Sequence, residues 1–147
     1  MQNKKLEKIL VADDSEEYRE RIAKILLKGY DVDFAANAEE AIKKAQENKY
    51  DLIITDNRMP VDKKGLIVNG HMCGYYKNDG IYVIENIRKF DKETPIILNT
   101  SELNIEIAIE AIQKGADYAI HKNQLSEFSD NYKNIINKCL KRTNSQP

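Results

Sequence analysis

Five short apolar runs, separated by helical patterns, constrain this chain more than any other feature. They are Ile9-Leu10-Val11-Ala12, Val32-Asp33-Phe34-Ala35-Ala36, Leu52-Ile53-Ile54-Thr55, Pro95-Ile96-Ile97-Leu98-Asn99-Thr100 and Tyr118-Ala119-Ile120. The third is apolar and β-branched without alternation, as in a strand buried on both faces. It ends in an acidic residue, Asp56, and the first run ends in two, Asp13 and Asp14.

The intervening segments read as helices. Ser15 can cap the first, with Glu16 and Glu17 in its opening turn and Gly29 closing it. Asn37 with Glu40 is a capping-box-like start for Ala38 to Asn48. Gly80 to Phe90 follows. Leu103 to Lys114 is expected to turn Ile105, Ala108, Ile109 and Ile112 inward, with Leu103 and Ile107 off that face. The last helix, Leu125 to Lys141, has a stripe of Phe128, Tyr132, Ile135, Ile136, Cys139 and Leu140. Strands alternating with helices imply a parallel sheet covered on both faces. Right-handed crossovers make it doubly wound. The expectation is an α/β, flavodoxin-like five-stranded parallel sheet in the order 2-1-3-4-5.

Composition excludes several classes. The 147 residues suggest one domain, and the net charge of −1 gives no global field for nucleic acid or an anionic membrane. No run approaches the ~20 apolar residues of a membrane span. Cys73 and Cys139 are far apart and read as free thiols of a reducing cytosol.

The predicted strand order brings the carboxyl ends of the first and third strands together, so Asp13, Asp14 and Asp56 would share one rim. Three carboxylates there repel unless a cation or proton sits among them. Oxygen-only ligands favour Mg²⁺. Thr100 can give a hydroxyl to the same place and Lys122 an ammonium. Acid, metal, hydroxyl and ammonium together make a phosphoryl-transfer site with Asp56 as nucleophile. Singly, each residue has an ordinary structural explanation, such as a helix cap, a turn or a solvated cation.

At these residues the chain resembles the receiver domain of two-component response regulators. The resemblance rests on Ile9 to Asp14, Ile53-Ile54-Thr55-Asp56-Asn57-Arg58-Met59-Pro60, Pro95 to Ser101, and Gly115-Ala116-Asp117-Tyr118-Ala119-Ile120-His121-Lys122. It covers roughly residues 6 to 141. It implies Asp56 as phosphoacceptor, with Thr100 as switch hydroxyl and Lys122 pairing with the phosphoryl group. Ser101 would offer its backbone N–H. Asp13, Asp14, Asp56 and the carbonyl of Arg58 would hold Mg²⁺. The implied partners are a histidine kinase or phosphotransfer protein and a downstream protein target, with a possible homodimer through the helix-four to helix-five face. Neither nucleic acid nor membrane is implied for this chain.

Four features depart from the family pattern or stand out against it. After Met59-Pro60 an insertion, about 61–78, delays Asp79-Gly80. Its Asn69-Gly70 between apolar runs predicts a small β-hairpin near the rim, with Lys63, Lys64 and Lys77 against Asp62 giving a mild positive bias. His71 and Cys73 are too few for a metal site. Ala119 stands where an aromatic is usual, and Tyr118 points to the opposite face. Asn123 replaces the proline that commonly follows the lysine, which should loosen that turn. Finally, Arg58 and Glu102 flank the pocket and are expected to pair.

The reading is a stand-alone, cytoplasmic receiver over 1–142 with a polar tail over 143–147. It would be a Mg²⁺-dependent switch, not an enzyme beyond self-phosphotransfer and autodephosphorylation. The alternative is a non-phosphorylated pseudo-receiver acting as an interaction module. A haloacid-dehalogenase-like phosphatase fits less well, because Asp13 and Asp14 are adjacent. A flavin carrier lacks a phosphate loop after the first strand.

Overall fold

The computed structural model describes residues 6–59, 67–68, 71–72, 78–127 and 129–144. Its elements run β1 (Lys8–Ala12), α1 (Glu16–Ile25), β2 (Asp31–Ala35), α2 (Ala38–Glu47), β3 (Leu52–Thr55), β4 (Ile67–Val68), β5 (His71–Met72), α3 (Asp79–Ile87), β6 (Ile96–Thr100), α4 (Ile105–Lys114), β7 (Tyr118–His121), α5 (Gln124–Glu127) and α6 (Ser129–Asn144). Five strands form one parallel sheet in the order β2-β1-β3-β6-β7. Counting the sheet strands alone, this is the predicted 2-1-3-4-5. The register pairs Ala12 with Thr55 and Ile54 with Ile97, so the strands that end in acids finish side by side.

The sheet separates two cores. Leu10, Ile53, Ile96 and Leu98 pack with α2, α3 and α4. Ile9, Val11, Ile54 and Ile97 pack with Ile22 of α1 and with Tyr132, Ile136, Cys139 and Leu140 of α6. Strand alternation explains the division, because neighbouring residues face opposite sides. Caps form where the sequence places them. Ser15 Oγ accepts from the Tyr18 N–H at 3.1 Å, and Asn37 Oδ1 from that of Glu40 at 2.8 Å. Glu40 reaches back to the Ala36 N–H at 3.3 Å.

Two expectations need correction. The inward face of α4 is not the predicted one. Ile105, Ile109 and Ile112 are 77%, 53% and 48% exposed, whereas Ala111 is fully buried and Ile107 packs against the core. Small Ala111 allows the close approach, and the larger isoleucines are left outside. The predicted final helix is two segments, α5 and α6, with Phe128 outside the described residues.

The predicted hairpin is present as an antiparallel pair, Ile67 opposite Met72 and Val68 opposite His71. Its Asn69-Gly70 connection, the insertion lysines and Cys73 lie outside the described residues. The turn after Lys122 is held without a proline: Leu125 N donates to Lys122 O at 3.1 Å and Asn123 N to His121 Nδ1 at 3.0 Å. Substitution of Gly80 probes how closely α3 meets the β3 end. An added Cβ would lie 2.8 Å from Asn57 Cα and also strike the Asp56 backbone. Gly80→Ala would ordinarily favour a helix, but here overpacking against backbone should prevail. The expected outcome is a loss of about 1–3 kcal/mol, read from urea unfolding midpoints.

Candidate functional site

The site is built at the carboxyl ends of β1, β3, β6 and β7, where ligands bind in open α/β sheets. Asp13 follows β1 and Asp56 follows β3, and both are buried. Backbone groups fix their carboxylates. Asp13 Oδ1 accepts from the Ser15 N–H at 2.9 Å, and Asp56 Oδ1 from the Asn57 N–H at 2.7 Å. Asp14 is exposed beside them. Asp13, Asp14 and Asp56 each present an oxygen within 4.8 Å of the others.

Lys122 closes the group from the end of β7. Its Nζ lies 2.7 Å from Asp13 Oδ2 and 2.9 Å from Asp56 Oδ2. Burial and the charge of Asp13 push the Asp56 carboxyl above the usual carboxylate range, against the opposing pull of Lys122 and the Asn57 N–H. Burial works to lower the Lys122 pKa, but the Asp13 hydrogen bond and the two carboxylate charges outweigh it and hold the ammonium above its ordinary value. The lysine is therefore a fixed cation, and Asp56 is the less comfortable anion.

Thr100 ends β6 and is buried, with its hydroxyl accepting from the Glu102 N–H at 3.3 Å. Ser101 is exposed in the turn that follows. Arg58 and Glu102 form the expected pair at 2.8 Å, with both side chains more than half exposed. Ala119 packs against the α2–α4 core, while Tyr118 packs on the opposite side, as strand parity predicts.

Two participants escaped the sequence reading. Tyr18 of α1, a tyrosine at an apolar helical position, places its ring 4.3 Å from Lys122 Nζ. Asn99, fully buried on β6, donates from Nδ2 to Tyr18 Oη at 2.7 Å. The signal available was Asn99 itself, a polar residue inside an apolar strand. The acceptor loop is also locked from below. Asn57 Nδ2 bonds Asn78 Oδ1 at 3.0 Å, Asn57 O accepts from the Gly80 N–H at 3.0 Å, and Asp79 Oδ2 accepts from the Met59 N–H at 3.4 Å.

The residues fit a hard divalent cation. Carboxylate oxygens are the donors Mg²⁺ prefers, and a cation would relieve the repulsion that raises Asp56. Among the described residues no helix is long and apolar enough to cross a membrane.

Comparison with known proteins places this arrangement. The family model "Response regulator receiver domain" matches residues 9–131. The chain is similar to the regulatory protein AtoC of Escherichia coli, 28% identical over 84% of this chain and 24% of AtoC. It is similar also to the transcriptional regulatory protein ResD of Bacillus subtilis, 35% identical over 78% of this chain and 41% of ResD. The chain thus spans less than half the length of either relative. The receiver domain of the Francisella response regulator 1452 superposes with a TM-score of 0.71 at 28% identity, over 93% of this chain and 98% of that one. The chain belongs to the response regulator receiver domain family of two-component systems.

Proposed function

We propose that this chain is a Mg²⁺-dependent phospho-aspartate switch with Asp56 as acceptor. One observation carries the reading. A buried carboxylate at the end of β3 lies 2.9 Å from a partly buried ammonium and within 4.8 Å of two further acids. A carboxylate alone in that place would be a turn residue, but a carboxylate between a fixed cation and a divalent-ion cradle is a nucleophile for phosphorus.

The donor is a phosphohistidine on a partner kinase or phosphotransfer protein. An Asp56 oxygen attacks phosphorus, the P–N bond to the histidine breaks, and the imidazole nitrogen keeps the electron pair and takes up a proton. Asp13, Asp14, Asp56 and the carbonyl of Arg58 would hold Mg²⁺, which when bound neutralises the acids and the phosphoryl oxygens. Lys122 moves its interaction from the Asp56 carboxylate to a phosphoryl oxygen. The Thr100 hydroxyl and the Ser101 N–H bind the others. Thr100 begins the turn that leads into α4, so a shift of its hydroxyl is felt by that helix.

The exposed stripe of Ile105, Ile109 and Ile112 on α4 fits the face through which a downstream protein or a second copy is engaged. The reaction is self-phosphotransfer followed by autodephosphorylation, with no separate substrate turned over. A reducing cytosol suits the buried Cys139 thiol. Ala119 favours a second reading, a pseudo-receiver that acts through contacts alone, because the aromatic that usually follows the threonine is missing from the α4 side.

Acetyl phosphate with Mg²⁺ separates the two. Intact mass should show one phosphoryl adduct on the wild type and none on Asp56→Ala or after chelation. No adduct from acetyl phosphate or from candidate histidine kinases would sink the switch and leave the pseudo-receiver.

The raised Asp56 pKa gives a second test. A group whose folded pKa lies above its unfolded one stabilises most when protonated, and that contribution is lost as pH rises through the folded pKa. Asp56→Asn removes the penalised charge. Its melting temperature should equal or exceed that of the wild type at pH 7 without Mg²⁺. The advantage should shrink as pH falls below the folded pKa. A variant less stable than wild type at pH 7 would show that the Lys122 pair outweighs burial.

Arg58 is two residues after Asp56 and Glu102 two after Thr100, and the two pair at 2.8 Å, so the pair should slow hydrolysis of the acyl phosphate. Arg58→Ala is expected to shorten the phosphoryl half-life by no more than about fivefold, since an exposed pair is worth up to about 1 kcal/mol. An unchanged half-life would remove the pair from the mechanism.

A further inference from the structure

Lys122 has three directions in which to place its N–H groups, and the two acids fill two of them. The third side meets the ring of Tyr18, whose centroid is 4.3 Å from Nζ. That is well inside the distance at which an aromatic face attracts a cation. The ring is itself held. Tyr18 packs against the α1–α6 core, and its hydroxyl accepts from Asn99 Nδ2 at 2.7 Å. Asn99 stands on β6, one residue before Thr100, and is buried to within 1%. Its Oδ1 has no hydrogen-bond partner among the described residues. A buried amide left half-satisfied is costly, so its position answers to something other than its own hydrogen bonding.

We propose that Tyr18 is a positioning residue for phosphotransfer: its ring is the platform that sets Lys122 Nζ between Asp13 and Asp56, and Asn99 fixes that ring. This rests on the phosphoacceptor reading above. The physical need is plain. A lysine stem has four carbons and many rotamers, and two carboxylates alone would draw the ammonium deep between them. When Asp56 becomes an acyl phosphate, one of those partners loses its carboxylate charge and the ammonium must move to a phosphoryl oxygen. A ring face supports a cation without directional bonds, so the ammonium can pivot across it. A third carboxylate would hold it in place, and an aliphatic side chain would desolvate it without compensation. The ring thereby joins the end of β7 to α1 and β6, across the sheet from Ala119.

The test uses the full chain with Tyr18→Leu and Tyr18→Phe. Phosphorylation by acetyl phosphate at saturating Mg²⁺ should slow about tenfold in Tyr18→Leu. Tyr18→Phe, which keeps the ring and loses the Asn99 tether, should recover part of the rate, the remaining shortfall being the share of the tether. Melting curves fix the folded fraction at the assay temperature. A second reading needs no phosphodonor: the Lys122 Hε resonances should be shifted upfield by the ring current in the wild type and in Tyr18→Phe, and not in Tyr18→Leu. A Leu variant as fast as wild type overturns the proposal. So does a Phe variant as slow as Leu, or a wild-type Lys122 with unshifted resonances. If the wild type takes up no phosphoryl group, the phosphoacceptor reading falls, and the resonances alone decide whether the ring holds Lys122.

Discussion

The contact on which this molecule turns is the Lys122 ammonium held between Asp13 and Asp56, at 2.7 and 2.9 Å. Two buried carboxylates on neighbouring strands repel, and each is disfavoured by loss of water. The strands cannot move apart to relieve this. Ala12 pairs with Thr55 and the Asp56 N–H bonds Ala12 O at 2.8 Å, so the ladder fixes the acids side by side. A cation is therefore a condition of the fold at this rim as much as a part of its chemistry. Lys122 meets it from within the chain. A divalent ion, with Asp14 as the exposed third ligand, fits the same requirement from solution.

The fold was legible because buried parallel strands have a distinctive composition. Leu52 to Thr55 is apolar throughout, and only a strand covered on both faces needs that. The acids at the ends of β1 and β3 then became neighbours as soon as the strand order was assumed. What could not be read was which stripe of α4 faces inward. Ile105-Ile109-Ile112 and Leu103-Ile107-Ala111 both recur at helical spacing, and periodicity does not choose between them. The choice is made by closeness of approach. Ala111 and Ala116 let the helix sit near the sheet, and a stripe of isoleucines would hold it off. Tyr18 was missed for a related reason. A tyrosine at a helical core position is ordinarily packing, and its cationic neighbour comes from a residue more than a hundred positions away. The roles proposed for backbone groups, those of Ser101 and the Arg58 carbonyl, leave no side-chain signal at all and follow only from family resemblance.

The long insertion after Met59 is compatible with so constrained a site because its two ends are tied before it begins and after it finishes. Asn57 and Met59 bond to Asn78 and Asp79 directly, and Gly80 lies against the Asp56 and Asn57 backbone. The chain leaves and returns at one point. The entropy of closing a longer loop grows only slowly with its length, so added residues there need not disturb Asp56. The same clasp makes the start of α3 part of the acceptor loop.

Asn99 and Thr100 give the last step. They are successive residues of β6, so their side chains leave opposite faces of the sheet. Ile97 packs with α1 and α6 and Leu98 with α2 to α4, which fixes Asn99 on the first side and Thr100 on the second. Thr100 is tied to the turn before α4, its hydroxyl accepting from the Glu102 N–H. Asn99 is tied to α1 through Tyr18, whose ring lies against the Lys122 ammonium that pairs with the acids. One strand end thus touches both helical layers. Where a residue at position 119 would usually carry an aromatic ring on the Thr100 side, this chain has alanine, and its aromatic ring at the site lies on the Asn99 side instead. The polar contacts of the site thus run from β6 to α1 on the face of the sheet away from Ala119.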